Sequence, residues 1–219
     1  MAKPERVAKK YNPDRIRSII RDKRYNVCPS QMLPAMVASS KERVLGELRW
    51  GLVPPWADSL AAGNKMINAR AETIAEKPSF QEAFRRKRCL IFVDGFYEWK
   101  RDVDSKRPFY FHSADDDVMA FAGIYETWTS SEGESTATCA IVTTEANELM
   151  KPIHHRMPVI LSAEAGRTWL DPAGSDLRDL QQLLRPAETE VLRCYEVSPV
   201  VNSPMNDDPR CIEALETGS

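Results

Sequence analysis

RCLIFVDGFYEW, residues 88–99, decides the fold class. The run is rich in aromatic, aliphatic and β-branched residues and reads as extended chain. Runs of the same kind lie on both sides of it: RVLGELRWGLV (43–53), RPFYFHS (107–113), VMAFAGIYETW (118–128), ATCAIVTT (137–144) and VLRCYEVSPVV (191–201). Several follow one another with only short turns between them. That order predicts antiparallel sheets and an α+β class, not a doubly wound parallel sheet. PDRIRSIIRDK (13–23) and SFQEAFRRK (79–87) read as helices, the second opened by a capping box of Ser79 and Glu82. A third helix is expected after Ser175, through DLRDLQQLL. No G-x-G-x-x-G follows a strand and no G-x-x-x-x-G-K-[ST] occurs, so dinucleotide and nucleoside-triphosphate binding have no support.

With 219 residues, 42% of them hydrophobic, the chain can bury one substantial core, and a single domain over 1–219 is expected, with a flexible tail from about residue 212. The opening MAKPERVAKK lacks the apolar region of a signal peptide, and no stretch approaches the roughly 18 to 20 apolar residues that span a bilayer. The expectation is a cytoplasmic protein without membrane contact. Five widely spaced cysteines (Cys28, Cys89, Cys139, Cys194, Cys211) contain no C-x-x-C pair, which argues for reduced, packed thiols rather than disulfides or zinc. The net charge of −2 hides a strong asymmetry. Residues 1–110 carry 23 Lys and Arg against 13 Asp and Glu, whereas 111–219 carry 7 against 19. A polyanion-binding face built from the first half is one reading of that asymmetry, and solvated basic runs are the other.

Three short segments could carry chemistry. Alternation along DGFYEW puts Phe96 and Glu98 on one face and Tyr97 and Trp99 on the other. Glu98 is then either exposed at a strand end or buried among aromatics, where its pKa would rise and it could exchange protons near neutrality. In MINARAET (66–73), Asn68 and Arg70 would share a face if extended, pairing an amide with a phosphate-binding guanidinium; the alternative is a turn Asn beside a surface Arg. PIHHRMPVI (152–160) holds two of the chain's three histidines. If that segment is extended, His154 and His155 point to opposite faces and only one of them serves a site. Adjacent residues are poorly spaced to chelate a metal together, so no metal is expected.

In order along the chain, RYNVCPSQ (24–31), LRWGLVPPW (48–56), INARAET (67–73), VDGFYEW (93–99), IVTT (141–144), IHHRMPVIL (153–161) and VSPVVN (197–202) resemble the SOS-response-associated peptidase (SRAP) family, from about residue 24 to the C-terminus. The resemblance implies one α+β domain with a curved, barrel-like antiparallel sheet, peripheral helices and a positively charged groove for single-stranded DNA. It implies a monomer without cofactor that recognises abasic sites and traps them covalently. The trap in that family is an N-terminal cysteine, exposed once the initiator Met is removed, whose α-amine and thiol both react with the ring-opened sugar. The resemblance further implies that Asn68 holds the N-terminal residue or the sugar, that Glu98 relays protons to and from the amine, and that His154 helps open the sugar. It implies DNA contacts from Arg70, Arg156, Thr143 and Asn26, with Pro55 and Trp56 giving apolar surface where the DNA bends. Trp50 is expected to pack in the core.

Family members begin Met-Cys-Gly-Arg, whereas this sequence begins Met1-Ala2-Lys3-Pro4 and has no cysteine before Cys28. AKPERVAKKY resembles the helical segment that follows Met-Cys-Gly-Arg-Phe, which suggests four residues preceding Met1. A substitute role for Cys28 is the alternative; an internal cysteine has no α-amine and could form only a reversible hemithioacetal. Three functional classes stay open at this point: an abasic-site crosslinking protein, a DNA-binding module of the same fold without its nucleophile, and a thiol peptidase acting on its own N-terminus.

Overall fold

The computed structural model describes residues 2–17, 23–102, 105–172 and 176–215. In chain order the elements are α1 (Pro4–Tyr11), β1 (Arg15–Ile16), β2 (Met32–Ala38), β3 (Arg43–Trp50), β4 (Asn68–Arg70), α2 (Gln81–Arg86), β5 (Arg88–Val93), β6 (Gly95–Arg101), β7 (Lys106–Ser113), β8 (Met119–Thr129), β9 (Ser135–Glu145), β10 (Arg156–Pro158), β11 (Ile160–Leu161), α3 (Ala163–Leu170), α4 (Leu177–Gln182) and β12 (Leu192–Glu196). Strands β3, β2, β5, β8 and β9 pair in that order, each with the next antiparallel, and β3 returns to β9 through Arg49–Thr138 and Trp50–Cys139. The result is a closed five-strand barrel within an α+β fold. It is a mixed barrel rather than a wholly antiparallel one, because the closing β3–β9 pair is parallel, as are β4–β9 and β1–β3. A second antiparallel sheet, β12-β7-β6, stands beside it.

Strand alternation sorts the core into two layers. Leu33, Ala35, Leu48, Cys89, Ile91, Phe121, Cys139 and Ile141 pack together on the inner face of the barrel, where Phe111 and Leu192 of the second sheet join them. Met36, Leu45, Leu90, Phe92, Ala122 and Val142 point outward and are covered by Val7, Phe84, Trp169 and Leu180 from the four helices. Among the described residues no helix is long and apolar enough to cross a membrane.

The helices differ from the sequence reading. Within 13–23, Arg15 and Ile16 are extended and pair in parallel with Val44 and Leu45, while 18–22 lie outside the described residues. The N-cap of α2 is Phe80 with no side-chain cap, so the Ser79–Glu82 capping box does not form; Glu82 instead pairs with Arg86 one turn on. The helix expected after Ser175 is α4, capped by Asp176, whose side chain accepts from the Arg178 N–H. Helix α3, capped by Ser162, and strand β2 are additional. Strand β2 contains Pro34, which argues against an interior strand, but the β2–β5 ladder begins one residue later, at Ala35–Ile91, so Pro34 needs no donor on that side. At the C-terminus, Ala214 bridges to Val197 and the Leu215 N–H reaches Glu196 O, so 212–215 are fastened rather than loose; 216–219 lie outside the described residues.

One buried cation pins the helical layer to the barrel. Arg88 is 5% exposed and donates to the carbonyls of Trp169 (2.6 Å), Phe84 (3.1 Å), Arg85 (2.6 Å) and Asp171 (2.6 Å). Removing it would strand four buried or half-buried acceptors. Arg88→Ala is expected to destabilise the fold by about 3 kcal/mol, read as a drop of the thermal midpoint; an unchanged midpoint would show these carbonyls to be satisfied by water.

Candidate active site

Strand β4 is only three residues long, and its extended form comes from parallel pairing with Ile141–Thr143 of β9. Ala69 is fully buried, so Asn68 and Arg70 face out together, as alternation predicts. Strand β6 starts at Gly95, where a Cβ would sit 2.2 Å from the Tyr110 ring; only glycine admits that close approach. Further along β6, Phe96 stacks on Phe111 at 5.2 Å and meets Phe121 edge-on at 5.5 Å, while the Tyr97 hydroxyl donates to Tyr25 O on the other side. Glu98 shares the Phe96 face. His154 arrives on the turn after β9, its N–H bonded to Met150 O.

These segments meet at one cavity of about 610 Å³, lined among others by Asn26, Asn68, Arg70, Glu98, Thr143, His154 and Arg156. Seven of the residues singled out from the sequence therefore converge, although they lie on strands from both sheets and on two loops. Pro55 and Trp56 do not join them: both are exposed, Trp56 at 66%, and lie outside the cavity lining. Trp50 is half-buried, lines the cavity and donates from Nε1 to Ile67 O, which fixes the loop leading into β4.

The titratable centre is Glu98 with His154, at 3.6 Å between Oε1 and Nδ1. Burial raises the Glu98 pKa above its ordinary value, opposed by the charges of His154 and Lys106 and by a hydrogen bond from the Trp99 N–H. His154 Nδ1 also lies 2.9 Å from Arg156 O and 3.2 Å from Arg156 N. Nδ1 thus faces one donor, the Arg156 N–H, and two acceptors, Arg156 O and the Glu98 carboxylate. The two histidines are not on opposite faces. Residues 151–153 form a turn rather than a strand, and the rings stand 4.6 Å apart, His155 being the exposed one.

The other residues have distinct environments. Arg70 is exposed at the cavity; its carbonyl accepts from the Thr73 N–H, its side chain has no hydrogen bond or salt bridge among the described residues, and, with the Arg156 hydrogen bond, its charge helps hold the Glu72 carboxyl below the ordinary value. Thr143 is nearly buried, and its carbonyl accepts from the Ala71 N–H and from Arg156 Nη2. Asn26 is 5% exposed, and its Nδ2 lies 3.0–3.1 Å from the carbonyls of Val201, Ser203 and Asn206. Its amide hydrogens thus tie the C-terminal segment to the cavity wall. Cys28 also lines the cavity, but burial pushes its thiol pKa up, which lowers its thiolate fraction. Sequence reasoning missed Glu72, which grips Arg156 with both carboxylate oxygens (2.7 and 2.9 Å). Continuing the 68–70 alternation by one more step would have flagged it. Among the described residues no three His, Cys, Asp or Glu side chains converge as a metal site requires.

Comparison with known proteins places this arrangement in context. The family model described as SOS response associated peptidase (SRAP) matches residues 1–204. The abasic site processing protein YoqW of Bacillus subtilis (strain 168) is 49% identical over 191 residues, covering 87% of this chain and 85% of that protein. The abasic site processing protein HMCES of Gallus gallus is 35% identical over 226 residues, covering 89% of this chain and 67% of that one. A crystal structure of a protein from Bacteroides thetaiotaomicron superposes with a TM-score of 0.77 at 34% identity, covering 85% of this chain and 82% of that chain.

Proposed function

Since this chain belongs to the SOS response associated peptidase (SRAP) family, we propose that it processes abasic sites in single-stranded DNA, acting in the cytoplasm as a monomer and attaching itself covalently to the lesion. Relatives named for abasic site processing support the substrate. The observation that carries the reading is the meeting of Asn68, Arg70, Glu98 and His154 at one cavity, from three separate stretches of chain.

In the full family pattern the reaction needs no redox partner. An α-amine has a pKa of about 7.7 to 8.0, so a fraction of roughly a tenth or more is neutral near pH 7 and can attack the open-chain aldehyde, releasing water as an imine forms. The neighbouring cysteine thiol then adds across the C=N bond, sulfur to carbon and proton to nitrogen, closing a five-membered ring. Glu98, with its raised pKa, accepts the amine's proton and returns it to the departing hydroxyl. His154 takes part in opening the sugar, Asn68 holds the reacting group by its amide, and Arg70 meets the phosphate beside the lesion.

A denaturing gel tests this directly. Protein incubated with an abasic single-stranded oligonucleotide, with cyanoborohydride to trap any imine, should give a band of added mass that the intact oligonucleotide does not give. Absence of adduct under all conditions would leave the DNA-binding module and the peptidase, which peptide hydrolysis separates. Binding itself should weaken steeply with salt as condensed counterions are released. Arg70→Ala is expected to flatten that dependence by about one unit, measured by titration from low to high salt; an unchanged slope would remove Arg70 from the DNA interface.

A further inference from the structure

We infer that Glu72 is a positioning residue of this site, acting through Arg156 on His154, and that Arg156 serves as a structural clamp before it serves DNA. The inference rests on the proposed function for its kinetic test but has a test of its own. Both terminal nitrogens of Arg156 are already engaged: Nη1 donates to Glu72 Oε1 at 2.7 Å, and Nη2 donates to Glu72 Oε2 at 2.9 Å and to Thr143 O at 2.6 Å. This is the two-pronged pairing that guanidinium and carboxylate form best. Glu72 thus occupies the fork that a phosphate would otherwise take. The Arg156 side chain is 16% exposed, and its Nε is buried without a hydrogen-bond partner among the described residues, so the guanidinium depends on Glu72 and Thr143 for its place.

The clamp reaches the reacting groups through the backbone. Arg156 N and O stand 3.2 and 2.9 Å from His154 Nδ1, and that nitrogen is 3.6 Å from Glu98. Glu72 follows β4, Thr143 lies on β9 and Arg156 opens β10, so one ion pair fastens three segments around the imidazole. Releasing Arg156 frees the peptide that orients His154. Sub-ångström to ångström errors of this kind cost rate rather than affinity.

The test compares wild type, Glu72→Ala and Glu72→Gln. At saturating abasic DNA, Glu72→Ala should form adduct about tenfold more slowly, with affinity for intact single-stranded DNA unchanged or higher. Its salt dependence should steepen by about one unit as the freed guanidinium turns to phosphate. Glu72→Gln, which keeps one acceptor for the fork, should recover part of the rate, and it serves as the test if the alanine variant does not fold. A wild-type rate in folded Glu72→Ala, or slowing that weaker binding fully explains, overturns the inference. If wild type itself forms no adduct, the proposed function fails, and the inference is then decided without DNA. The imidazole NMR signals of His154 should move in Glu72→Ala, and unmoved signals overturn it.

Discussion

Incubated with an abasic oligonucleotide, the chain starting at Met1 and the same chain preceded by Met-Cys-Gly-Arg are expected to give adducts of different kinds. The first has at most an α-amine at its start, with no thiol beside it. It can form an imine, which hydrolyses on heating and survives only after borohydride reduction. Its own start is also poorly placed to react, since Ala2 is 1% exposed and packed in the helix-covered core. The extended chain adds the thiol that closes the ring and should give a band that withstands denaturation without reductant. Arg6, in the first turn of α1, is bonded to Asp94 at 2.8 Å, and Asp94 sits between Val93 and Gly95 of the cavity lining. The four added residues would precede Met1, five positions before Arg6, and span up to about 13 Å. Intact mass and gel mobility read the result, and changing the new cysteine to Ala should abolish the stable band. A heat-stable, reductant-independent adduct from the chain starting at Met1 would refute this account and turn attention to Cys28.

In the chain preceded by Met-Cys-Gly-Arg, Glu98→Gln should slow adduct formation by about 10²-fold, because an amide cannot accept the amine's proton. The pH dependence has a definite sign. Burial raises the Glu98 pKa, so the carboxylate form is gained only as pH climbs past the ordinary range of about 4.3. The wild-type rate should rise more steeply through that window than that of the Gln variant, which keeps only the rise from deprotonation of the α-amine. Stability runs the other way. A carboxyl whose folded pKa is raised stabilises fully below its unfolded pKa, and that contribution is lost as pH rises through the folded value. At neutral pH Glu98→Gln should therefore keep or gain thermal stability while losing rate. His154→Ala should slow sugar opening with little effect on DNA affinity. Single-turnover rates and melting curves separate these effects, and wild-type kinetics in both variants would make the pair structural.

The strands were legible because alternation survives in them. Phe96 and Glu98 share a face, as do Asn68 and Arg70, and the strands from 107 to 144 are found where their residues predict them, whereas the run 88–99 breaks at Asp94 into two strands, β5 and β6, of different sheets. The segment 13–17 was not legible, since its apolar spacing suits a helix, yet Arg15 and Ile16 find ladder partners in β3. Partners distant in sequence also decide the site. Nothing in VDGFYEW says that its carboxylate will meet His154, because that contact needs the second sheet to stand against the end of the barrel. Local reading also cannot tell a free arginine from a paired one. Arg70 and Arg156 look alike in sequence, but only Arg156 has a carboxylate across its fork.

The parallel pair that closes the barrel has a consequence for the order of assembly. Trp50 and Cys139 lie roughly 90 residues apart, so closure pays a large loop entropy and must come late in folding. During synthesis at about 5 to 20 residues per second, β3 waits on the order of 5 to 20 s for β9 to follow it. Throughout that interval the ladder side of β3 that β9 will cover stays open to any strand that meets it first. Strand β4 takes its ladder partners from β9, and so does β10. Asn68, Arg70 and the Arg156 clamp therefore have no fixed places until β9 is made, and a nascent chain that meets damaged DNA before then has no assembled site to offer it.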